Sequence, residues 1–177
     1  LNDCITMLKA DDRFAGMDIS VMGHSWGGFS TLNISALHPE ISHVVVLSGF
    51  VSVEELVKTF FSRILKWYRK AILELERKSN PKFFGYNAVE SLSNSNAKTL
   101  LIYSADDQMC KKAHFDILKS GLAGKNNIQF LLVDRKGHNP NYTEEAVKYL
   151  GEFGKSRAKL LKKKDLTDEE KAVFVAS

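Results

Sequence analysis

The chain has 177 residues, 44% of them hydrophobic and 26% charged, enough apolar material for one folded core. No apolar run reaches the roughly 18 residues that a membrane-spanning helix needs. The formal charge of +4 is local: residues 155–164 hold six basic side chains (Lys155, Arg157, Lys159, Lys162, Lys163 and Lys164) and no acid. Without aromatic interleaving, that run reads as the solvated face of a late helix and not as a nucleic-acid site.

In chain order, Asn2 to Arg13 reads as a helix packed on a sheet, and Met17 to Met22 as a strand. Then comes Gly23-His24-Ser25-Trp26-Gly27-Gly28, followed by an amphipathic stretch that predicts a helix from Trp26 to Leu37, ended by His38-Pro39. Strand, sharp turn, helix is the context of a nucleophile elbow. The turn holds a serine in strained backbone geometry, and glycines two before and two after leave room for strand and helix to approach. The start of the following helix faces Ser25 with backbone N–H groups and a positive dipole end.

Val44 to Leu47 is a continuous apolar run of the kind buried in parallel sheets. Between Leu47 and Thr99 no strand is predicted. Val53 to Arg77 places Leu56, Phe60, Ile64, Tyr68, Ile72 and Leu75 at helical spacing, followed by a Ser79-Asn80-Pro81 loop and a polar run from Ser91 to Asn96. The segment is longer than a crossover needs, which points to a cap lining a pocket for an apolar group. Packed crossover helices are the plainer alternative. Strands at 99–103 and 128–133 follow, with a helix from Lys112 to Leu122 between them. Thr143 caps a predicted helix from Glu144 toward Leu161, and Thr167-Asp-Glu-Glu170 opens a last short helix, Asp168 to Val175. The alternation predicts an α/β fold with a parallel sheet flanked by helices.

Chemistry-bearing residues follow the strand ends. After 99–103 comes Ser104-Ala105-Asp106-Asp107, and after 128–133 comes Asp134-Arg135-Lys136-Gly137-His138. Serine, acid, histidine in that order, each after a strand, is the arrangement of one serine-hydrolase architecture. Ser25 is the expected nucleophile and His138 the general base, with Asp106, Asp107 or Asp134 as candidates to orient it; Asp134 lies close to His138 along the strand end and is the weakest. The Trp26 N–H is the expected oxyanion donor. His24 reads as a packing or hydrogen-bonding residue beside the elbow. His24, His38, His43, His114 and His138 show no metal-ligand spacing. Cys4 and Cys110 read as free thiols of a reducing, cytoplasmic compartment.

On these residues the chain resembles the α/β-hydrolase superfamily over nearly its whole length. The elbow is similar to those of esterases, lipases and some serine aminopeptidases. The resemblance implies that the strands are the fifth to eighth of an eight-stranded sheet and that an N-terminal half, with the second oxyanion donor, is missing. The first strand is then expected to have an unpaired edge, and the chain alone to be weakly active or inactive. The family pattern of a small residue, two variable residues and Asp after the strand implies Asp107 as the acid, with Asp106 the rival. The implied organisation is elbow strand and flanking helices at 1–48, helical lid at 49–97, the rest of the hydrolase core at 98–163, and a C-terminal helix or tail at 164–177. The implied reaction is cleavage of a small-molecule carboxylic ester with an apolar group through an acyl-serine, without cofactor or metal. An aminopeptidase or thioesterase is the alternative, with Glu54 and Glu55 as acids near the insert. A non-catalytic module using Lys155 to Lys164 is the third reading.

Overall fold

A computed structural model describes residues 1–61, 65–163, 167 and 169. It divides into two units, Leu1–Asn141 and Tyr142–Ser177. The first carries a four-stranded parallel sheet with spatial order β1 (Ser20–His24), β2 (His43–Leu47), β3 (Lys98–Ser104), β4 (Ile128–Val133). Each strand lies beside the next in sequence, so all four C-terminal ends open onto one rim.

The helices of this unit are α1 (Asn2–Lys9), α2 (Trp26–Ile34), α3 (Val53–Phe60), α4 (Lys66–Ser79), α5 (Ala88–Ser93) and α6 (Lys112–Gly121). The crossovers β1–α2–β2, β2–α5–β3 and β3–α6–β4 advance in one direction, and right-handed connections then place their helices on one face. Accordingly α2 packs on α5 and α5 on α6. The core beneath them joins Leu32 of α2, Val44 and Val46 of β2, Leu101 and Tyr103 of β3 and Leu118 of α6, all fully buried. Strand residues on the opposite face are more open: Val45 and Leu100 are partly buried, and Met22 is 73% exposed. β1 forms one sheet edge among the described residues.

Several boundaries move. The opening helix stops at Lys9, and Asp11 starts a separate turn of 3₁₀-helix (Asp12–Phe14) by accepting from the Arg13 N–H. β1 runs from Ser20 to His24, two residues further than Met22, and α2 ends three residues before Leu37. The single helix expected over Val53 to Arg77 is two helices. Phe61 is extended (φ −111°, ψ 125°) and ends α3, with its ring 5.1 Å from that of Tyr68. Of the expected apolar face, Leu56 and Ile72 pack against the cluster of Phe29, Phe50, Val53, Val57 and Cys110. Phe60, Tyr68 and Leu75 are exposed, and Ile64 lies outside the described residues. The polar run at 91–96 conceals α5, capped by Asn87, whose side chain accepts from the Val89 N–H.

The second unit holds α7 (Glu144–Leu161). Thr143 caps it by accepting from the Ala146 N–H at 3.2 Å, and Glu144 and Glu145 occupy its first turn, favourable placements at a helix start. Lys155, Arg157, Lys159, Lys162 and Lys163 are exposed; Lys164 and the helix expected at Asp168–Val175 lie outside the described residues, apart from Glu169. No helix among the described residues is long and apolar enough to cross a membrane.

Candidate active site

Ser25 follows β1 directly. Its backbone sits at φ 56°, ψ −117°, in the left-handed half of conformational space that a non-glycine residue rarely occupies. Such geometry costs of order 1–3 kcal/mol and persists only where its surroundings enforce it. Here its N–H donates to the Leu47 carbonyl at 2.9 Å, extending the β1–β2 ladder by one residue, and its carbonyl accepts from the Phe29 N–H at 3.0 Å.

Backbone segments approach too closely for side chains at two positions. A Cβ at Gly23 would collide with the Gly27 carbonyl oxygen and the Thr31 hydroxyl, and one at Gly28 would lie 2.9 Å from Gly49 Cα. The expectation that Gly27 leaves room for this approach is corrected. A Cβ there would meet nothing within 4 Å, and it is the Gly27 carbonyl that crowds Gly23.

Ser25 occupies the N-cap position of α2, yet its hydroxyl makes no capping bond. Ser52, at the same position of α3, is extended (φ −158°, ψ 161°) and accepts from the Glu55 N–H at 3.2 Å. The elbow turns the Ser25 hydroxyl away from its own helix. The first N–H groups of a helix have no intrahelical partner, so those of Trp26 and Gly27 head α2 next to it.

Asp107 is 2% exposed in the turn between β3 and α6. Its Oδ1 accepts from the N–H groups of Met109 at 2.7 Å and Cys110 at 3.0 Å, which leaves Oδ2 to accept from His138 Nδ1 at 2.9 Å. A carboxylate can only accept, so this bond places a proton on Nδ1 and leaves Nε2 of a neutral ring with a lone pair. Asp106 points elsewhere. It is exposed, and its Oδ1 accepts from the Ser104 hydroxyl at 2.6 Å and the Gly137 N–H at 3.0 Å. Ser104, with Gly137 assisting, holds its carboxyl below the usual range. Asp134 is exposed at the end of β4.

His24, the last residue of β1, makes a contact that its sequence position does not announce. Its Nε2 lies 2.6 Å from the His138 carbonyl oxygen, and the two rings are 4.7 Å apart. Cys110 is buried. Burial and the Asp107 charge push its thiol up to about 12, while the Ser25 hydroxyl beside it pulls the other way. Among the described residues no hydrogen bond runs directly from the Ser25 hydroxyl to the His138 ring. Glu54 and Glu55, the acids singled out near the insert, both bind Lys58.

Beside the elbow is a cavity of about 380 Å³ between α2 and the insert. Its lining includes Trp26, Phe29 and Asn33 of α2, Val53, Glu76 and Tyr86 of the insert, and Asp3 of α1. No cluster of metal-ligating side chains occurs among the described residues.

The family model described as "Serine aminopeptidase, S33" matches residues 1–132. Among solved structures, the esterase domain of a Rhodothermus marinus protein shares 16% identity at a TM-score of 0.55, covering 88% of this chain and 66% of that one. A puromycin-hydrolyzing peptidase of Mycobacterium tuberculosis shares 14% at 0.61 (84% and 23% covered), and the esterase Pf2001 of Pyrococcus furiosus 18% at 0.58 (88% and 59%). The chain thus spans less than two thirds of each of these proteins. At such identities the likeness is one of fold. No curated protein matches the chain significantly.

Proposed function

The chain belongs to the serine aminopeptidase S33 family of α/β-hydrolases, and on that footing we propose that it cleaves a carboxylic ester through an acyl-serine intermediate on Ser25. The observation that carries this reading is the bond from buried Asp107 to His138, on the same sheet rim as a serine in strained backbone geometry.

A serine hydroxyl is a weak nucleophile until a base takes its proton. In the proposed reaction the hydroxyl turns from Cys110 to His138 Nε2, gives up its proton there, and attacks the ester carbonyl. Hydrogen bonds to a catalytic base often tighten only when substrate is bound. Asp107 stabilises the imidazolium that forms. The oxyanion is held by the Trp26 N–H at the positive end of α2. Collapse of the tetrahedral intermediate breaks the ester C–O bond, and His138 returns the proton to the departing alcohol. Water, activated by His138, then cleaves the acyl-serine and restores the hydroxyl. Residues 49–97 act as a lid over the cavity, where Phe29, Val53 and Tyr86 supply apolar surface for one end of the substrate.

A second reading, an aminopeptidase, is favoured by the acids of that cavity, Asp3 and Glu76, which line it together with Lys82. The Glu76 carboxylate, which accepts from the Asn80 side-chain amide at 2.8 Å, lines the same cavity as Trp26 and is suited to a substrate ammonium group. Turnover of nitrophenyl esters against aminoacyl amides by the full-length protein separates the two. The ester reading expects the esters to be preferred, with turnover abolished in Ser25→Ala. Preference for the amides would overturn it in favour of the peptidase, and turnover that survives Ser25→Ala would overturn both.

A further inference from the structure

Ser25 and His138 stand behind strands at opposite edges of the sheet. Neighbouring strands lie about 4.8 Å apart, so β1 and β4 are separated by about 14 Å. The loop after β4 must therefore carry His138 back across the rim. Four hydrogen bonds tie residues 136–138 to the ends of other strands. The Lys136 N–H donates to the Ser104 hydroxyl at 3.2 Å, the Gly137 N–H to Asp106 at 3.0 Å, and His138 Nδ1 to Asp107 at 2.9 Å. The fourth joins His24 Nε2 to the His138 carbonyl oxygen at 2.6 Å. Three of the partners, Ser104, Asp106 and Asp107, lie at the end of β3 or in the turn just after it. His24 alone belongs to β1, the strand that leads directly into Ser25.

We propose that His24 is a positioning residue, which sets the base against the nucleophile by donating its Nε2–H to the His138 carbonyl. A carbonyl oxygen can only accept, so Nε2 carries a proton, and a neutral ring suffices. The other three bonds fix the loop relative to Asp107. They orient the imidazole toward its acid without defining its distance from Ser25. The His24 bond references the loop to the elbow strand itself, one residue from the nucleophile. The adjacent rings of residues 24 and 138, inclined at 49°, add contact along the same line.

The inference rests on the serine-hydrolase reading above. Its test is a pair of variants of the full-length protein, H24Q and H24M. Glutamine and methionine are close in length, but only glutamine carries an N–H donor. The measurements are kcat and KM for a nitrophenyl ester, the rate of fluorophosphonate labelling at Ser25, and Tm. Misplacing a reacting group by about 1 Å can cost on the order of 10²-fold. H24M is accordingly expected to lower kcat and the labelling rate about 10- to 100-fold with KM little changed, and H24Q to restore most of the loss at the same Tm. Equal rates in the two variants, or a rate loss that tracks Tm, would overturn the proposal. A wild-type protein that takes no label would overturn the serine-hydrolase reading and this one with it; labelling of the wild type and of H24M at the same rate would overturn this one alone.

Discussion

Two serines begin two helices, and they are used in opposite ways. Ser52 opens α3 in extended backbone and caps it. Ser25 opens α2 in left-handed backbone and leaves it uncapped. The surroundings make the difference. Around Ser25 the glycine at 23 brings β1 against the first turn of α2, the glycine at 28 brings α2 against Gly49, and the Leu47 carbonyl pins the serine N–H. The insert that Ser52 opens is looser. α4 has no buried residue, and Trp67 and Leu75 on it are 71% and 67% exposed. One region spends stability on a conformation that serves chemistry, and the other follows local preference.

The comparison breaks most sharply on activity. Ser25→Gly should abolish ester turnover, by about 10⁴-fold or more, while raising stability by about 1 kcal/mol, because glycine adopts φ 56° without strain. Ser52→Ala should do the reverse, costing about 1 kcal/mol with kcat unchanged. Kinetics and urea unfolding of the two variants check both signs. Asp107→Asn should lower kcat by about 10⁴-fold, since an amide favours the wrong imidazole tautomer. Asp106→Asn, on the rival acid, should leave far more activity, and steady-state kinetics separate them.

The next effect is steric. Gly23→Ala should cost about 3 kcal/mol or prevent folding, because its Cβ meets backbone oxygen that cannot swing aside. Gly27→Ala, two residues past the nucleophile, should be tolerated. Thermal unfolding of both proteins tests this asymmetry.

These contrasts also show what was legible in the sequence. The elbow and the strands were, because β-branched runs and a Gly-x-Ser-x-Gly turn are local signals. The break between α3 and α4 was not. No glycine or proline marks it, and packing of Phe61 against the cluster around Phe29 and Phe50 overrides helix propensity there. α5 was hidden because its buried residues Ala88 and Leu92 stand among serines; the Asn87 cap was the signal available. His24 read as a packing or hydrogen-bonding residue beside the elbow, but its partner, 114 residues away, could not be read. The choice between Asp106 and Asp107 rested on a family pattern, whereas in the structure it is the backbone turn at Met109 and Cys110 that aims one carboxylate at His138 and leaves the other outside.

A smaller effect concerns the root of the insert. His114 is fully buried, and its Nδ1 accepts from the Val51 N–H at 3.4 Å. Burial holds its imidazole below the ordinary 6.5. The unfolded chain therefore takes up the proton first, so this contribution to stability is complete above pH 6.5 and is lost as pH falls below it. The urea midpoint should fall on acidification below pH 6.5, and less steeply in His114→Asn. Smallest of all, Leu75→Lys on the exposed insert should change stability by no more than about 0.5 kcal/mol.

The proposed reaction turns on the Ser25 hydroxyl, set on strained backbone, being the nucleophile. Peptide mapping of the full-length protein after fluorophosphonate treatment tests it most directly. A single adduct is expected on the peptide carrying Ser25, absent from Ser25→Ala; an adduct on Cys110 or on any other residue, or none at all, would show that Ser25 is not the nucleophile.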